Sequence, residues 1–263
     1  MDLGISGRVA VVGGGSSGLG LACARRLAAE GCDLLIWART ETGLAAAAAD
    51  LAKASGRRVE TLVADASQTD AAQLVAARAL DAFGRVDILV LNAGGPTPSD
   101  PTQTTAEQLR AAYQLLTVTP IELANALLPG MRENHWGRIV AILSWGVREP
   151  ISALTLSNVG RSALAAWMKT ASRWVGPDGV TVNGVLPGRF ATPRIAELDH
   201  ARAKREDRHP ADIQREALAN VPVGRDGAPD ELGAVVAFLA SEPAAYVNGT
   251  LVPVDGGMLQ SLG

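Results

Sequence analysis

Cysteine, histidine and tyrosine are scarce in this chain of 263 residues, which has Cys 2, His 3 and Tyr 2. Two cysteines, Cys23 and Cys32, are too few for a disulfide framework or a cysteine metal site. The histidines show no metal-ligand spacing, so no metal is expected. A fold that depends on disulfides or a structural metal is therefore excluded, and a reducing compartment is expected.

Long hydrophobic runs and a strong net charge are also missing. Every apolar stretch is interrupted before it reaches about 18 residues, so no membrane span is predicted. The N-terminal residues lack the basic and apolar regions of a signal peptide. The net charge of -3 gives no overall basic field for nucleic acid. We expect a cytoplasmic protein that acts on a small molecule, without a nucleic-acid or membrane partner.

The sequence does contain enough apolar residues for a large core, since 48% of it is hydrophobic. Nearly continuous apolar runs are typical of parallel strands that are covered on both faces. Seven such runs are predicted as strands: Val9–Val12, Leu34–Trp37, Val59–Val63, Val86–Leu91, Arg138–Leu143, Val180–Leu186 and Thr250–Val254. Predicted helices lie between them: Leu19–Glu30, Glu41–Ala54, Asp70–Phe83, Ala106–Glu133, Asn158–Val175 and Asp230–Ala240. This alternation predicts one α/β domain over residues 1–263, a doubly wound Rossmann-type fold with a seven-stranded parallel sheet.

One segment, Pro193 to Asp230, departs from this alternation because it is rich in charge and has no strand pattern. It is either a solvated helical insertion or a lid over an active site, since long insertions in compact domains are often functional. Its position after the sixth predicted strand favours the second interpretation. We call residues 193–222 the lid segment.

A glycine-rich turn follows the first predicted strand and opens the first predicted helix. Gly14, Gly18 and Gly20 have the spacing Gly-x-x-x-Gly-x-Gly. Such a turn lets a pyrophosphate approach the backbone and sit at the N-terminus of the helix, where free N–H groups favour anions. The turn therefore predicts nucleotide binding.

With this spacing, the chain resembles the short-chain dehydrogenase/reductase family over nearly its whole length. The other motifs that carry the resemblance are Asp65, Leu91-Asn92-Ala93-Gly94, Ser144, Pro187-Gly188 with Thr192, and Val254-Asp255-Gly256-Gly257. Two positions differ from the family pattern. Gly13 replaces its usual Thr and Leu91 replaces the first Asn of Asn-Asn-Ala-Gly. Each change is expected to alter a supporting hydrogen bond and to leave the pocket intact.

The resemblance implies which residues hold a dinucleotide. At the pyrophosphate and ribose they would be Gly14, Ser16, Ser17, Gly18 and Leu19. Around the adenosine they would be Asp65, Asn92, Ala93 and Gly94, with Asn92 also tying strands together. At the nicotinamide they would be Pro187, Gly188 and Thr192, with Thr192 on the carboxamide.

The end of the second predicted strand favours NADP(H) over NAD(H). NAD recognition uses a carboxylate there for the ribose hydroxyls, whereas a 2′-phosphate favours an arginine. Ala38 stands at the carboxylate position, and Arg39 follows it. Asp33 opens the strand and is therefore far from the ribose. Although Arg39 can also be read as an ordinary surface arginine, NADP(H) is the predicted cofactor.

The catalytic positions of this chain differ from the family pattern. The family uses a tyrosine as proton donor, a lysine four residues later, a serine on the carbonyl oxygen and an asparagine for a relay water. Ser144 matches the serine, but Ser157 and Arg161 stand at the tyrosine and lysine positions, and Leu116 at the asparagine position. Arg161 can still hold the nicotinamide ribose and place positive charge near a developing oxyanion. Neither serine is a convincing final proton source.

Other side chains could supply the proton in place of the family's tyrosine. Tyr113 lies about one turn before Leu116, and Tyr246 is expected to be structural. His200 and His209 lie in the lid segment and have the right unperturbed pKa, whereas His135 is expected to be exposed. The overall pattern resembles a divergent subgroup, similar to 3-oxoacyl-carrier-protein reductases, that lacks the usual catalytic set.

We therefore expect an NADP(H)-dependent oxidoreductase of small carbonyl or alcohol substrates, with Ser144, Ser157 and Arg161 as its catalytic residues. The alternative is a cofactor-binding pseudoenzyme or regulatory protein, which single-turnover oxidation of NADPH would distinguish. A homotetramer is expected from the family resemblance, from the apolar residues Leu164, Trp167 and Met168, and from the C-terminal segment 249–263.

Overall fold

Seven parallel strands form one sheet in the computed structural model, which describes residues 1–261. The strands are β1 (Val9–Gly13), β2 (Asp33–Ala38), β3 (Val59–Val63), β4 (Ile88–Leu91), β5 (Gly137–Ile142), β6 (Val180–Pro187) and β7 (Leu251–Val254). Their order across the sheet is β3-β2-β1-β4-β5-β6-β7. The predicted doubly wound, seven-stranded parallel sheet is confirmed.

Helices cover both faces of this sheet. They are α1 (Gly18–Ala29), α2 (Glu41–Ser55), α3 (Ala71–Phe83), α4 (Ala106–Tyr113), α5 (Thr119–Glu133), α6 (Thr155–Val175), α7 (Pro193–Glu206), α8 (Pro210–Leu218) and α9 (Pro229–Leu239). Among the helices of residues 1–261, none combines the length and hydropathy that a membrane crossing would need.

Two hydrophobic cores, one on each face, hold the layers together. Alternate residues of β1 show the division, because Val11 packs in the core with α3, α5 and α6, whereas Val12 packs in the core with α1, α2 and α9. Every residue of β1, β5 and β6 is buried. Burial on both faces explains why these strands are mainly apolar in the sequence, apart from Arg138 in β5 and Thr181 and Asn183 in β6.

The strand order reverses between β1 and β4. From β1 the chain runs outward to β2 and β3, then returns to β4 and continues to β7 on the other side. In such sheets, the helices diverge at this point and leave a crevice beside the carboxyl ends of the strands. The residues after β1, β4, β5 and β6 therefore meet at one edge.

The helix predicted over Ala106–Glu133 is present, but it is not α-helical throughout. A π-helical stretch at Gln114–Val118 separates α4 from α5, and the Thr119 N–H donates to the Gln114 carbonyl. Pro120, which has no N–H, stands in the first turn of α5. The π-helical stretch turns Leu116 onto Gly160 of α6, where a Cβ added to the glycine would lie 3.0 Å from the Leu116 Cβ. Leu115 instead lines the cavity described below.

The lid segment forms α7 and α8 and is held mainly by charge. Ala203 is the buried residue of α7 and Ile213 that of α8. Arg189, just before α7, donates to Asp199 at 2.7 Å and to Asp226 at 2.9 Å. The few buried apolar side chains agree with the charged, polar sequence of this segment.

The apolar residues expected at an interface on α6 belong to the chain's own core. Leu164 is 4% exposed and Met168 is 1% exposed, and both pack against the sheet. Trp167 is partly buried against the same core. This part of the argument for a tetramer was wrong, because the apolar face of α6 is covered by β-strands and not left free.

Candidate active site

One cavity of about 590 Å³ lies along the carboxyl edge of the sheet. Every residue that the sequence assigned to the cofactor or to catalysis lines it. Those residues are Gly14, Ser16, Ser17, Gly18, Leu19, Arg39, Asp65, Asn92, Ala93, Gly94, Ser144, Ser157, Arg161, Pro187, Gly188 and Thr192. The topology thus brings together segments that are far apart in the chain.

The glycine-rich turn leaves no room for side chains on its inner side. Gly14 and Gly18 have positive φ, +60° and +56°, which L side chains rarely adopt. A Cβ on Gly20 would lie 2.4 Å from the Gly14 carbonyl oxygen. Ser17, the N-cap of α1, makes no side-chain capping bond in the described structure. The backbone N–H groups at the start of α1 therefore remain available to an anion.

Asn92 ties the end of β4 to this turn. Its Nδ2 donates to the Gly13 carbonyl at 3.0 Å. A Cβ on Gly13 would lie 2.3 Å from the Asn92 carbonyl oxygen and 3.2 Å from the Trp37 ring. The glycine at the family's threonine position therefore permits a close approach of two backbones that a side chain would prevent.

Arg39 and Asp65 stand at the β2 and β3 end of the cavity. Arg39 is exposed and has no carboxylate partner within 4.0 Å in residues 1–261. A Cβ on Gly94 would lie 4.0 Å from Arg39 Nη2, so the guanidinium reaches toward the segment after β4. Asp33 is at the opposite end of β2, where it pairs with Arg57 at 2.9 Å. The carboxylate of β2 is therefore kept away from this region.

The segment after β6 forms the opposite wall of the cavity. Gly188 packs so closely on the C-terminal segment that a Cβ there would lie 2.7 Å from the Asp255 Cα. Thr192 is the N-cap of α7, and its Oγ1 accepts a hydrogen bond from the Ile195 N–H at 3.4 Å. Thr192 also faces Gly18 of the glycine-rich turn, with its Cγ2 3.7 Å from the position of a Cβ there.

Ser157 and Arg161 lie one turn apart on α6 and face the end of β5. Arg161 Nε donates to Ser157 Oγ at 3.3 Å, and its Nη1 donates to the Ile142 carbonyl at 2.6 Å. Its Nη2 donates to the Ala93 carbonyl at 3.5 Å. Ser144 follows β5, and its Oγ accepts from the Gly146 N–H at 3.1 Å. The cluster therefore contains two hydroxyls and one cation.

The environment of Arg161 disfavours its positive charge. Burial and, to a lesser extent, the nearby charge of Arg194 together lower the pKa of its guanidinium from 12.5 to about 10. A pKa of about 10 still leaves Arg161 protonated at neutral pH. It therefore supplies a fixed positive charge and does not act as a proton donor near pH 7.

Sequence analysis missed Arg194, which stands in the first turn of α7 and lines the same cavity. Its Nη2 donates to the Pro96 carbonyl at 2.7 Å, and its Nη1 lies 3.5 Å from Glu197 Oε2. Other wall residues that were not predicted include Trp145, Ile151, Leu154, Glu197 and Leu198. The signal in the sequence for Arg194 is its place two positions after Thr192.

A family profile described as "Enoyl-(Acyl carrier protein) reductase" matches residues 14–259. The short-chain reductase protein NovJ of Streptomyces niveus is 33% identical over 255 residues, which cover 95% of this chain and 93% of NovJ. The chain belongs to the short-chain dehydrogenase/reductase family. The predicted resemblance is thereby confirmed.

Two further members of the family are similar over their full length. The 3-oxoacyl-[acyl-carrier-protein] reductase FabG of Pseudomonas aeruginosa is 32% identical, covering 98% of this chain and 99% of FabG. The solved structure of L-sorbose reductase from Gluconobacter frateurii, complexed with NADPH and L-sorbose, has a TM-score of 0.95 and 33% identity. The match covers 100% of both chains.

The other proton donors considered for this short-chain dehydrogenase/reductase lie outside the cavity wall. Tyr113 is 38% exposed on α4, and Tyr246 is fully exposed. His200 and His209 are exposed in the lid segment, where His209 Nδ1 accepts from the Ala211 N–H at 3.2 Å. Leu116, at the family's asparagine position, is buried outside the cavity. None of these side chains belongs to the described wall.

The close contact of Gly20 with the glycine-rich turn predicts that a side chain at this position is harmful. Gly20→Ala should destabilise the protein by roughly 1–3 kcal/mol and weaken NADPH binding, because the new Cβ would push α1 away from the turn. Gly130→Ala on α5 is the matched control, since a Cβ there meets nothing within 4 Å. The control should be neutral or stabilising by up to about 1 kcal/mol. Urea denaturation and NADPH titration measure both effects, and equal behaviour of the two variants would contradict the steric argument.

Proposed function

We propose that this chain transfers hydride between NADP(H) and a small carbonyl or alcohol substrate, with an atypical active site. The observation that supports this proposal is the continuous cavity from the glycine-rich turn to Ser144, Ser157 and Arg161. When bound, the nicotinamide supplies or accepts the hydride. The protein's own residues hold the dinucleotide, orient the substrate and exclude water.

The fit to a dinucleotide rests on the shape and donors of the cavity. The turn at Gly14 and Gly18 and the start of α1 offer backbone N–H groups to the pyrophosphate. Asp65 binds the adenine amine, and Asn92, Ala93 and Gly94 back the adenosine ribose. Arg39 binds the 2′-phosphate, which makes NADP(H) the cofactor. The L-sorbose reductase structure, which contains NADPH, supports this choice.

The segment after β6 and the Ser157–Arg161 cluster would hold the nicotinamide between them. Thr192 binds the carboxamide, with Pro187 and Gly188 beside it, and Arg161 holds the ribose. The hydroxyls of Ser144 and Ser157 orient the substrate carbonyl, and the charge of Arg161 stabilises negative charge that develops on its oxygen. The lid segment closes over the substrate, since its residues Arg194 and Leu198 already contribute to the wall.

The catalytic cluster lacks a tuned general acid. Serine is a weak acid without a partner, and Arg161 remains charged at neutral pH, so neither replaces the tyrosine of the family. We propose that the enzyme favours acceptors that need little protonation at oxygen. Iminium ions, conjugated systems and strongly activated carbonyls fit this requirement. The absence of the usual tyrosine and lysine supports our proposal that the chain belongs to a divergent subgroup of the family, similar to 3-oxoacyl-carrier-protein reductases.

Cofactor preference tests the role of Arg39. NADPH should bind more tightly than NADH by roughly 1.5–3 kcal/mol, or about tenfold to 150-fold, because a charge-assisted bond to the 2′-phosphate has this strength. Arg39→Ala should remove the preference, whereas Arg25→Ala should retain it. Arg25 is the control because it is exposed and pairs with Asp230 outside the cavity. Fluorescence titration gives the six affinities of the three proteins for the two nucleotides. Equal binding of both nucleotides to the native protein would overturn the assignment.

The proton-donor argument predicts a gain of function. Ser157→Tyr combined with Arg161→Lys restores the family's pair, and should raise ketone reduction at least tenfold, because general acids contribute about 10²–10⁴-fold. Conjugated acceptors should gain less from this change. Steady-state rates on a matched panel of plain ketones and conjugated acceptors provide the measurement. Rapid reduction of plain ketones by the native protein would show that a proton donor has been missed.

We further propose a homotetramer, in line with the family. Exposed aromatic and apolar residues remain on the outer helices, including Tyr113 and Val118 at 38% and Trp174 at 78% exposure. Burying such residues is favourable and common at interfaces. Light scattering at micromolar concentration should give about four times the chain mass of 27.2 kDa. The mass of a single chain would exclude the tetramer.

A further inference from the structure

We propose that the substrate carries a carboxylate close to its reacting carbon, bound between Arg161 and Arg194. This inference rests on the proposed function, because it names the substrate class of the same cavity. Both arginines line the wall, one from α6 and the other from α7 in the lid segment. Burial is the main cause of the lowered pKa of Arg161, and repulsion by the charge of Arg194 adds to it. An anion between the two guanidinium groups would offset that repulsion.

Arg161 has no counter-ion in the described chain. No carboxylate oxygen of residues 1–261 lies within 4.0 Å of its guanidinium. Its three hydrogen bonds go to a hydroxyl and two carbonyls, which carry no net charge. They use three of the five N–H donors of a guanidinium. A half-buried cation with only neutral partners is costly unless a ligand supplies the opposite charge.

Arg194 is only partly neutralised. Glu197 is its carboxylate neighbour at 3.5 Å, but the side chain of Glu197 is 68% exposed. An ion pair of this kind in solvent contributes little. The stronger contact of Arg194 is the 2.7 Å hydrogen bond to the Pro96 carbonyl, which is neutral. Arg194 therefore keeps most of its capacity to attract an anion into the cavity.

The phosphates of the cofactor are assigned to sites away from Arg161. The pyrophosphate is assigned to the glycine-rich turn after β1, and the 2′-phosphate to Arg39 after β2. Arg161 contacts Ile142, at the end of β5. In the sheet order, β5 is two strands from β1 and three from β2. At about 4.8 Å per strand, these separations are roughly 10 and 14 Å. The anion beside Arg161 is therefore assigned to the substrate.

Distance also limits where the carboxylate stands in the substrate. Ser157 Oγ, which would bind the carbonyl oxygen, lies 3.3 Å from Arg161 Nε. A carboxylate on the guanidinium would then be one or two carbons from the reacting carbonyl. The substrate class is a 2-oxo or 3-oxo acid, or the corresponding hydroxy acid in the reverse direction. An adjacent carboxylate bound to Arg161 also places the carbonyl oxygen near its positive charge.

The experiment compares an acid with its neutral ester. Calorimetry measures binding of benzoylformate and methyl benzoylformate to the protein, with NADP⁺ present so that no turnover occurs. The native protein should bind the acid at least tenfold more tightly than the ester. Arg194→Gln and Arg161→Gln should each reduce this ratio below threefold. Arg215→Gln, at a 78% exposed position on α8, is the matched control and should keep the native ratio.

The outcomes separate this inference from the proposed function. Equal affinity for acid and ester, including no measurable binding of either, overturns the carboxylate site, as does a native ratio in Arg194→Gln. If Arg161→Gln does not fold, Arg194→Gln decides alone. Failure of NADPH to bind in the Arg39 experiment would overturn the proposed function instead. The acid and ester titrations repeated without nucleotide would then still measure the anion site.

Discussion

The close approach between the glycine-rich turn and the end of β4 is the constraint on which the rest of the site depends. Gly13 lets its backbone meet the Asn92 carbonyl, and Gly20 brings α1 against the Gly14 carbonyl. Asn92 fixes this contact by its hydrogen bond to Gly13. A side chain at Gly13 would push the turn away from the end of β4, and one at Gly20 would push α1 away from the turn, in both cases by van der Waals repulsion. Because the contact lies where the strand order reverses, it also sets the width of the crevice that receives a ligand.

A second constraint comes from positive charge at the other end of the cavity. Arg161 is held by neutral acceptors on β5, on the segment after β4 and on α6, so it cannot turn away from the cavity without losing hydrogen bonds. The site has Ser157 at the family's tyrosine position and Arg161 at its lysine position. In the proposed mechanism, Arg161 stabilises negative charge but does not deliver a proton, which would favour acceptors that are already activated or anionic substrates.

Most of the fold could be predicted because strands that are buried on both faces appear in the sequence as mainly apolar runs. The run in β1 is apolar without interruption, and those in β5 and β6 are interrupted only by Arg138, Thr181 and Asn183. The predicted strands differ from the observed ones only at their ends. The predicted helix is found, but its π-helical stretch at Gln114–Val118 was not predicted, because hydrophobic periodicity does not register one extra residue in a turn. Pro120 was the local signal of this irregularity. The π-helical stretch decides that Leu115 and not Leu116 faces the cavity, so it changes the composition of the site.

The sequence by itself determined the sheet, the position of the glycine-rich turn and the residues at the strand ends, because each depends on local periodicity or on a motif of fixed spacing. It also identified Arg161 at the lysine position. Only the tertiary structure decided that Arg161 has no carboxylate partner within residues 1–261 and shares its cavity with Arg194, since the fold brings α6 and α7 to the same edge of the sheet. It likewise decided that Leu164 and Met168 belong to the core and not to an interface. Such facts depend on contacts between distant segments, and neither composition nor spacing records which surfaces those contacts cover.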